Sequence, residues 1–159
     1  MKLYFLRHGV AADTDGWKGS DAERPLTDEG RKSMEREAKA LANLNLAPDV
    51  ILTSPLVRAK QTAEIVAGRL HRDDRVIEDV HLAEAFDVNV LGQLLRKHGD
   101  AQAVMLVGHE PDFSRTIGEL TGGARVDLKK GGLARVDLSD ASSTSGELVW
   151  LIPPKVLVH

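Results

Sequence analysis

A chain of 159 residues, 42% hydrophobic and 28% charged, is long enough to bury one core and too apolar to remain disordered. Its formal net charge of −3 lacks the basic excess that drives binding to nucleic acid or anionic lipid, and without cysteine it has no disulfide, thiolate metal site or cysteine nucleophile. The opening apolar run ends at Arg7, short of a signal core or membrane span, so a cytoplasmic protein of one domain over residues 1–159 is expected, with neither membrane nor nucleic acid as partner.

The run Leu3-Tyr4-Phe5-Leu6 predicts a buried strand that ends in the turn Arg7-His8-Gly9. Residues 10–24, rich in Asp and Gly and without periodicity, read as a loop closed by Pro25-Leu26-Thr27. Thr27 caps a helix with Asp28 and Glu29 in its first turn and Met34, Ala38, Leu41 and Ala42 as its apolar stripe, ending before Pro48. Val50-Ile51-Leu52 is a second strand, after which Thr53-Ser54-Pro55 opens a helix with Ala59, Ala63, Val66 and Leu70 on one side. Residues 75–77 form a short strand, and Leu91, Leu94 and Leu95 mark a third helix. Ala103-Val104-Met105-Leu106-Val107 is the most strand-like run and ends in Gly108-His109. A fourth helix starts at Pro111-Asp112, carries Phe113, Ile117 and Leu120, and stops at Gly122-Gly123. Strands at 133–138 and 148–152 follow, joined by a hairpin loop over 139–146. This alternation predicts an α/β fold, a three-layer αβα sandwich with a mostly parallel central sheet.

In an open parallel sheet, ligands bind in the crevice outside the carboxyl ends of the strands. Three predicted ends carry unusual residues: Arg7 and His8, then Ser54 with Arg58 one turn later, then His109 before the fourth helix. Two imidazoles with Glu110 or Asp112 would suit a metal, but two guanidiniums beside them would repel the cation. Arginine stays charged and presents a planar fork that matches phosphate oxygens, so the set favours a phosphoryl group over a metal. His8 is the expected nucleophile, kept neutral by Arg7 and Arg58, and His109 the expected donor to the phosphoryl oxygens. Water then releases phosphate from the phosphohistidine, with no metal or organic cofactor required.

Leu6-Arg7-His8-Gly9 resembles the Arg-His-Gly motif of the histidine phosphatase superfamily, which includes the phosphoglycerate mutases. Ser54-Pro55-Leu56-Val57-Arg58-Ala59-Lys60-Gln61-Thr62 resembles its second motif and Val107-Gly108-His109-Glu110-Pro111 its third. From Met1 to about Leu138, including Arg24-Pro25-Leu26-Thr27 and the turn Lys130-Gly131-Gly132-Leu133-Ala134, the chain is most similar to the SixA type of phosphohistidine phosphatase, a short form without inserted lid elements. The resemblance implies a phosphoglycerate mutase-like fold in which His8 is phosphorylated while Arg7, Arg58 and His109 hold the phosphoryl group.

Larger members use a carboxylic acid in the segment corresponding to Val80-His81-Leu82-Ala83-Glu84-Ala85-Phe86-Asp87, which makes Glu84 either a general acid or a solvated loop carboxylate. A weak acid favours cleavage of a phosphohistidine on a partner protein, because an alkoxide needs a proton more than an imidazole does. With Glu84 as acid, the alternative is a phosphatase or mutase for sugar or nucleotide-like phosphates. The other alternative is a phospho-ligand binding module without turnover, against which the complete set of Arg7, His8, Arg58 and His109 argues. Arg24 either touches substrate or pairs with Glu23 or Asp21. Ser54 is expected as a helix cap near the substrate rather than a nucleophile, since no Gly-x-Ser-x-Gly elbow surrounds it. His71, His81, His98 and His159 read as surface side chains, Lys129-Lys130 as a solvated turn, and Trp17 as part of a flap.

Overall fold

The strand runs separate their side chains onto two faces, and each face is covered by helices. In the computed structural model, which describes residues 1–157, the strands are β1 (Lys2–Arg7), β2 (Val50–Thr53), β3 (Val76–Glu78), β4 (Ala103–Gly108), β5 (Leu133–Leu138) and β6 (Gly146–Ile152). They form one sheet in the order β3-β2-β4-β1-β5-β6. β4 pairs in parallel with β1 and β2, and β2 with β3, whereas β5 runs antiparallel to β1 and β6 antiparallel to β5. The helices are α1 (Asp28–Asn43), α2 (Val57–Leu70), α3 (Val88–Lys97), α4 (Asp112–Leu120) and the short α5 (Pro154–Leu157).

Alternation along β1 sends Leu3 and Phe5 toward Leu91 and Leu95 of α3 and Phe113 and Ile117 of α4. Tyr4 and Leu6 go the other way, toward Met34 and Leu41 of α1 and Ala59, Ala63 and Val66 of α2. The result is the expected αβα sandwich. β4, buried at every position, lies between β1 and β2, so a strand with helices on both faces reads as a continuous apolar run.

Thr27 caps α1 as its sequence predicts, its hydroxyl accepting from the Gly30 amide at 2.9 Å. Several boundaries differ from expectation. β6 begins at Gly146, two residues earlier than expected, because Gly146 and Glu147 already pair with Leu138 and Asp137 of β5. β3 begins one residue later, because a 3-10 turn takes Asp73–Arg75. α2 begins at Val57 rather than at Pro55: the Ser54 amide still donates to the Val107 carbonyl at 3.0 Å, so the sheet ladder continues to Ser54. Ser54 is therefore not the cap of α2. That position belongs to Leu56, which offers no side-chain acceptor.

Candidate active site

The strand order puts the carboxyl ends of β2, β4 and β1 side by side, with Thr53 opposite Val107 and Arg7 opposite Gly108. His8, Ser54 and His109 leave the sheet from these adjacent ends. The His8 and His109 rings lie 5.2 Å apart between centroids, in a cavity of about 460 Å³ also lined by Arg7, Arg24, Arg58 and Lys130. Acidic side chains line it as well: Asp13, Asp21, Glu110 and Asp112.

The hydrogen bonds fix which nitrogens of the rings are free. His8 Nδ1 lies 2.7 Å from the Gly9 carbonyl oxygen, which only accepts, so Nδ1 carries the proton and Nε2 keeps its lone pair. Gly9 is held in turn by Thr62, whose Oγ1 accepts from the Gly9 amide at 3.1 Å and donates to the Arg58 carbonyl at 2.8 Å. His109 Nε2 lies 2.8 Å from Ser54 Oγ, which already accepts from the Leu56 amide at 3.2 Å. Satisfying the Ser54 proton makes Ser54 the donor to His109 Nε2 and leaves the His109 proton on Nδ1. Ser54 is thus an orienter of His109.

Arg7 and Arg58 are each secured through one part of the guanidinium. Arg7 Nη1 donates to the Leu128 carbonyl at 3.0 Å. Arg58 donates through Nη1 to the Asp21 carbonyl at 2.9 Å and through Nη2 to Asp21 Oδ2 at 3.0 Å. On the residues that line this cavity, three buried nitrogens are left without a hydrogen-bond partner among the described residues: Arg7 Nε, Arg58 Nε and His109 Nδ1.

Burial and like charge keep both rings neutral. The pKa of His8 is pulled down to about 3, first by burial and then by His109, Arg58 and Arg7, against the pull of the Gly9 carbonyl. That of His109 is pulled down to about 4, again mainly by burial, with Arg58 adding to the effect and Asp21 opposing it. Partial burial works against ionisation of Asp21, but hydrogen bonds from Arg58 and Arg24 outweigh it and hold the carboxyl below its ordinary value.

The other expected site residues fall unevenly. Glu84 is exposed and does not line the cavity, although its neighbour Ala83 does. Arg24 does both things considered for it, lining the cavity and pairing with Asp21 at 3.1 Å. Lys129 is exposed and pairs with Asp127 at 2.6 Å, as in a solvated turn, but Lys130 of the same turn reaches the cavity. His71 is exposed at the end of α2, His81 is exposed and pairs with Asp79 at 2.7 Å, and His98 is half-buried at the end of α3. His159 lies outside the described residues. The Trp17 Nε1 donates to the Ser20 carbonyl at 2.9 Å within the loop over the cavity. Among the described residues, no group of three or more His, Cys, Asp or Glu is arranged to hold a metal ion, and no helix is long and apolar enough to cross a membrane.

The model of the histidine phosphatase superfamily (branch 1) matches residues 3–93. The chain belongs to that superfamily and is a phosphatase. It is 36% identical over 99% of its length to an uncharacterized protein of Picosynechococcus sp., 99% of which is covered. Its identity to the phosphohistidine phosphatase SixA of Escherichia coli is 29%, over 97% of this chain and 94% of that one. Among solved structures, the protein histidine phosphatase SixA complexed with tungstate superimposes with a TM-score of 0.87 at 27% identity, over 99% of each chain. The fold is thus that of the phosphoglycerate mutase-like histidine phosphatases.

Proposed function

We propose that the cavity transfers a phosphoryl group to Nε2 of His8 and then to water, and that the donor is a phosphohistidine on a partner protein. The observation that carries this reading is the set of three buried, unpartnered nitrogens on Arg7, Arg58 and His109 in the same cavity as an imidazole whose Nε2 is unprotonated. A buried N–H without a partner costs free energy, and a tetrahedral oxyanion supplies acceptors for all three. Tungstate, the ligand of the similar SixA structure, is such an anion.

In the first step the Nε2 lone pair attacks phosphorus. The Nε2–P bond forms as the bond to the leaving atom breaks, and the leaving group takes that electron pair. Arg7, Arg58 and the His109 Nδ1–H disperse the charge on the phosphoryl oxygens. In the second step water attacks phosphorus, the Nε2–P pair returns to His8, and the proton of the water passes to solvent with release of inorganic phosphate.

Placement of the acids supports an imidazole as leaving group. Glu84 lies off the cavity, Glu110 Oε1 accepts from the Ser114 amide at 2.8 Å, and Asp112 pairs with Arg115 at 3.7 Å. Asp13, the remaining acid at the cavity beside the arginine-bound Asp21, is exposed to solvent, so among the described residues no fully buried acid lines the site to protonate an alkoxide, whereas a departing imidazole is basic enough to take its proton from water.

The test is to mix the enzyme with a generic phosphodonor, quench in alkali and locate the label. An acid-labile, alkali-stable phosphate on His8, lost in His8→Ala, is expected. Arg58→Ala should reduce turnover by about 10²–10³-fold, as loss of a donor to transition-state oxygens does. Turnover of a phosphohistidine protein should exceed that of sugar phosphates. Clear preference for a sugar phosphate would overturn the substrate class while leaving the His8 chemistry in place.

A further inference from the structure

The loop between β1 and α1 reaches into the cavity through Asp21, and its chemistry there is that of a second anion. Asp21 Oδ2 and its backbone carbonyl accept from the two terminal nitrogens of Arg58, at 3.0 and 2.9 Å. Oδ1 accepts from Arg24 Nε at 3.1 Å, so one carboxylate bridges both arginines. A guanidinium binds carboxylate and phosphoryl oxygens through the same fork; with Asp21 on Nη1 and Nη2 only the Nε side of Arg58 is open, so a phosphoryl group that takes the Nε–Nη2 edge as a pair competes with Asp21 Oδ2 at Nη2.

Little else fastens this segment. Residues 13–23 are all exposed, and the one large apolar side chain among them, Trp17 at 36% exposure, bonds within the loop to the Ser20 carbonyl, so little apolar burial opposes their movement. An isolated bridge between Ala11 and Leu26 anchors the base of the loop, and Arg24 Nη1 donates to the Ala12 carbonyl at 2.7 Å. Beyond that base, the connection to the body of the molecule runs through Asp21 and Arg58, whose side chain is 8% exposed.

We infer that Asp21 is an internal competitor for the phosphoryl site: its carboxylate occupies the terminal edge of Arg58, gives way when a phosphoryl group enters, and re-forms the pair as inorganic phosphate leaves. This rests on the reading that the cavity takes a phosphoryl group. The loop is then latched by the enzyme's own anion, and the latch weakens retention of the product. A dianionic phosphoryl group outcompetes the monoanionic carboxylate for Arg58, while His109 and Arg7 add donors that Asp21 does not use.

Titration calorimetry with inorganic phosphate on wild type, Asp21→Asn and Asp13→Asn tests this. Asp13 lines the same cavity but makes no hydrogen bond to an arginine among the described residues, so it reports the effect of charge alone. Asp21→Asn should bind phosphate roughly five- to tenfold more tightly, the net size of one ordinary hydrogen bond removed from competition, since the asparagine amide still accepts, and Asp13→Asn less than about threefold. Asp21→Ser, which also removes the charge, should move in the same direction as Asp21→Asn. Phosphate should also speed hydrogen exchange at the Glu23 and Arg24 amides of wild type, and in Asp21→Asn these amides should exchange fast without it. Unchanged or weaker phosphate binding in Asp21→Asn, or greater protection of those amides with phosphate, overturns the inference. If wild type binds phosphate and labels His8 while these signs are absent, the inference alone fails. If wild type neither binds phosphate nor labels His8, the reading of the cavity fails and the inference with it.

Discussion

A histidine in water would be half protonated near neutrality, yet His8 and His109 are held far below that by burial and neighbouring arginines. Both rings should therefore remain neutral at pH 5, with the proton on Nδ1 in each, as ¹⁵N chemical shifts of the free enzyme can show. A ring that titrates near its ordinary value would contradict the cavity geometry. Ser54→Ala removes the donor that fixes the His109 tautomer and should lower kcat by about tenfold, with Ser54→Thr restoring most of it. Arg7, His8, Arg58 and His109 were legible in the sequence because each sits at, or one turn beyond, the end of a strongly apolar strand. Ser54 was legible as a polar residue at such an end, but not as an orienter, since its partner is 55 positions away. Asp21 was hidden for a similar reason: its loop has no periodicity, and its contact with Arg58 spans 37 positions.

At the scale of elements, the turn after Leu128 grips the end of β1. The Gly131 amide donates to the Arg7 and His8 carbonyls at 3.1 and 3.0 Å, the Arg7 amide donates to the Gly132 carbonyl at 3.1 Å, and the Leu128 carbonyl receives Arg7 Nη1. Gly131 has φ +75°, and a Cβ there would lie 2.8 Å from Glu37 Oε2. Gly131→Ala should cost about 1–2 kcal/mol in a urea titration through left-handed strain, and should lower turnover further by moving the His8 carbonyl. Two lysines followed by two glycines look like a surface turn, and both lysines are exposed; what nothing local reveals is that Lys130 also lines the cavity. The regular elements were legible because hydrophobic alternation and helical stripes are local signals. The start of α2 was not, because the ladder from Ser54 to Val107 comes from β4, distant in the chain.

Taken over the whole molecule, the buried ionisable groups give stability a definite pH profile. Glu37 lies within the apolar stripe of α1, fully buried, with neither carboxyl oxygen hydrogen-bonded, and burial pushes its pKa up to about 8. A raised folded pKa means that the folded state holds a proton the unfolded state has released. The contribution of Glu37 is thus complete below the unfolded value near 4.5 and is lost as pH rises through about 8. For His8 and His109 the signs reverse: their contribution is complete above 6.5 and is lost as pH falls toward about 3 and about 4. Stability should peak near pH 6.5 and fall by about 1.4 kcal/mol per pH unit from there toward pH 8, one proton's worth. Glu37→Met should abolish that alkaline decline in urea midpoints measured from pH 6 to 9. The position of β4 has a consequence of another kind. Because it lies between β1 and β2, it must thread into the middle of the sheet before His109 can face His8, and the Gly131 turn must then close on β1. A growing polypeptide that has emerged only through residue 93 already contains both arginines and the first imidazole, yet it is catalytically mute. Recovery of turnover during refolding should therefore follow insertion of the central strand, and turnover that returns before β4 amides are protected from exchange would contradict this.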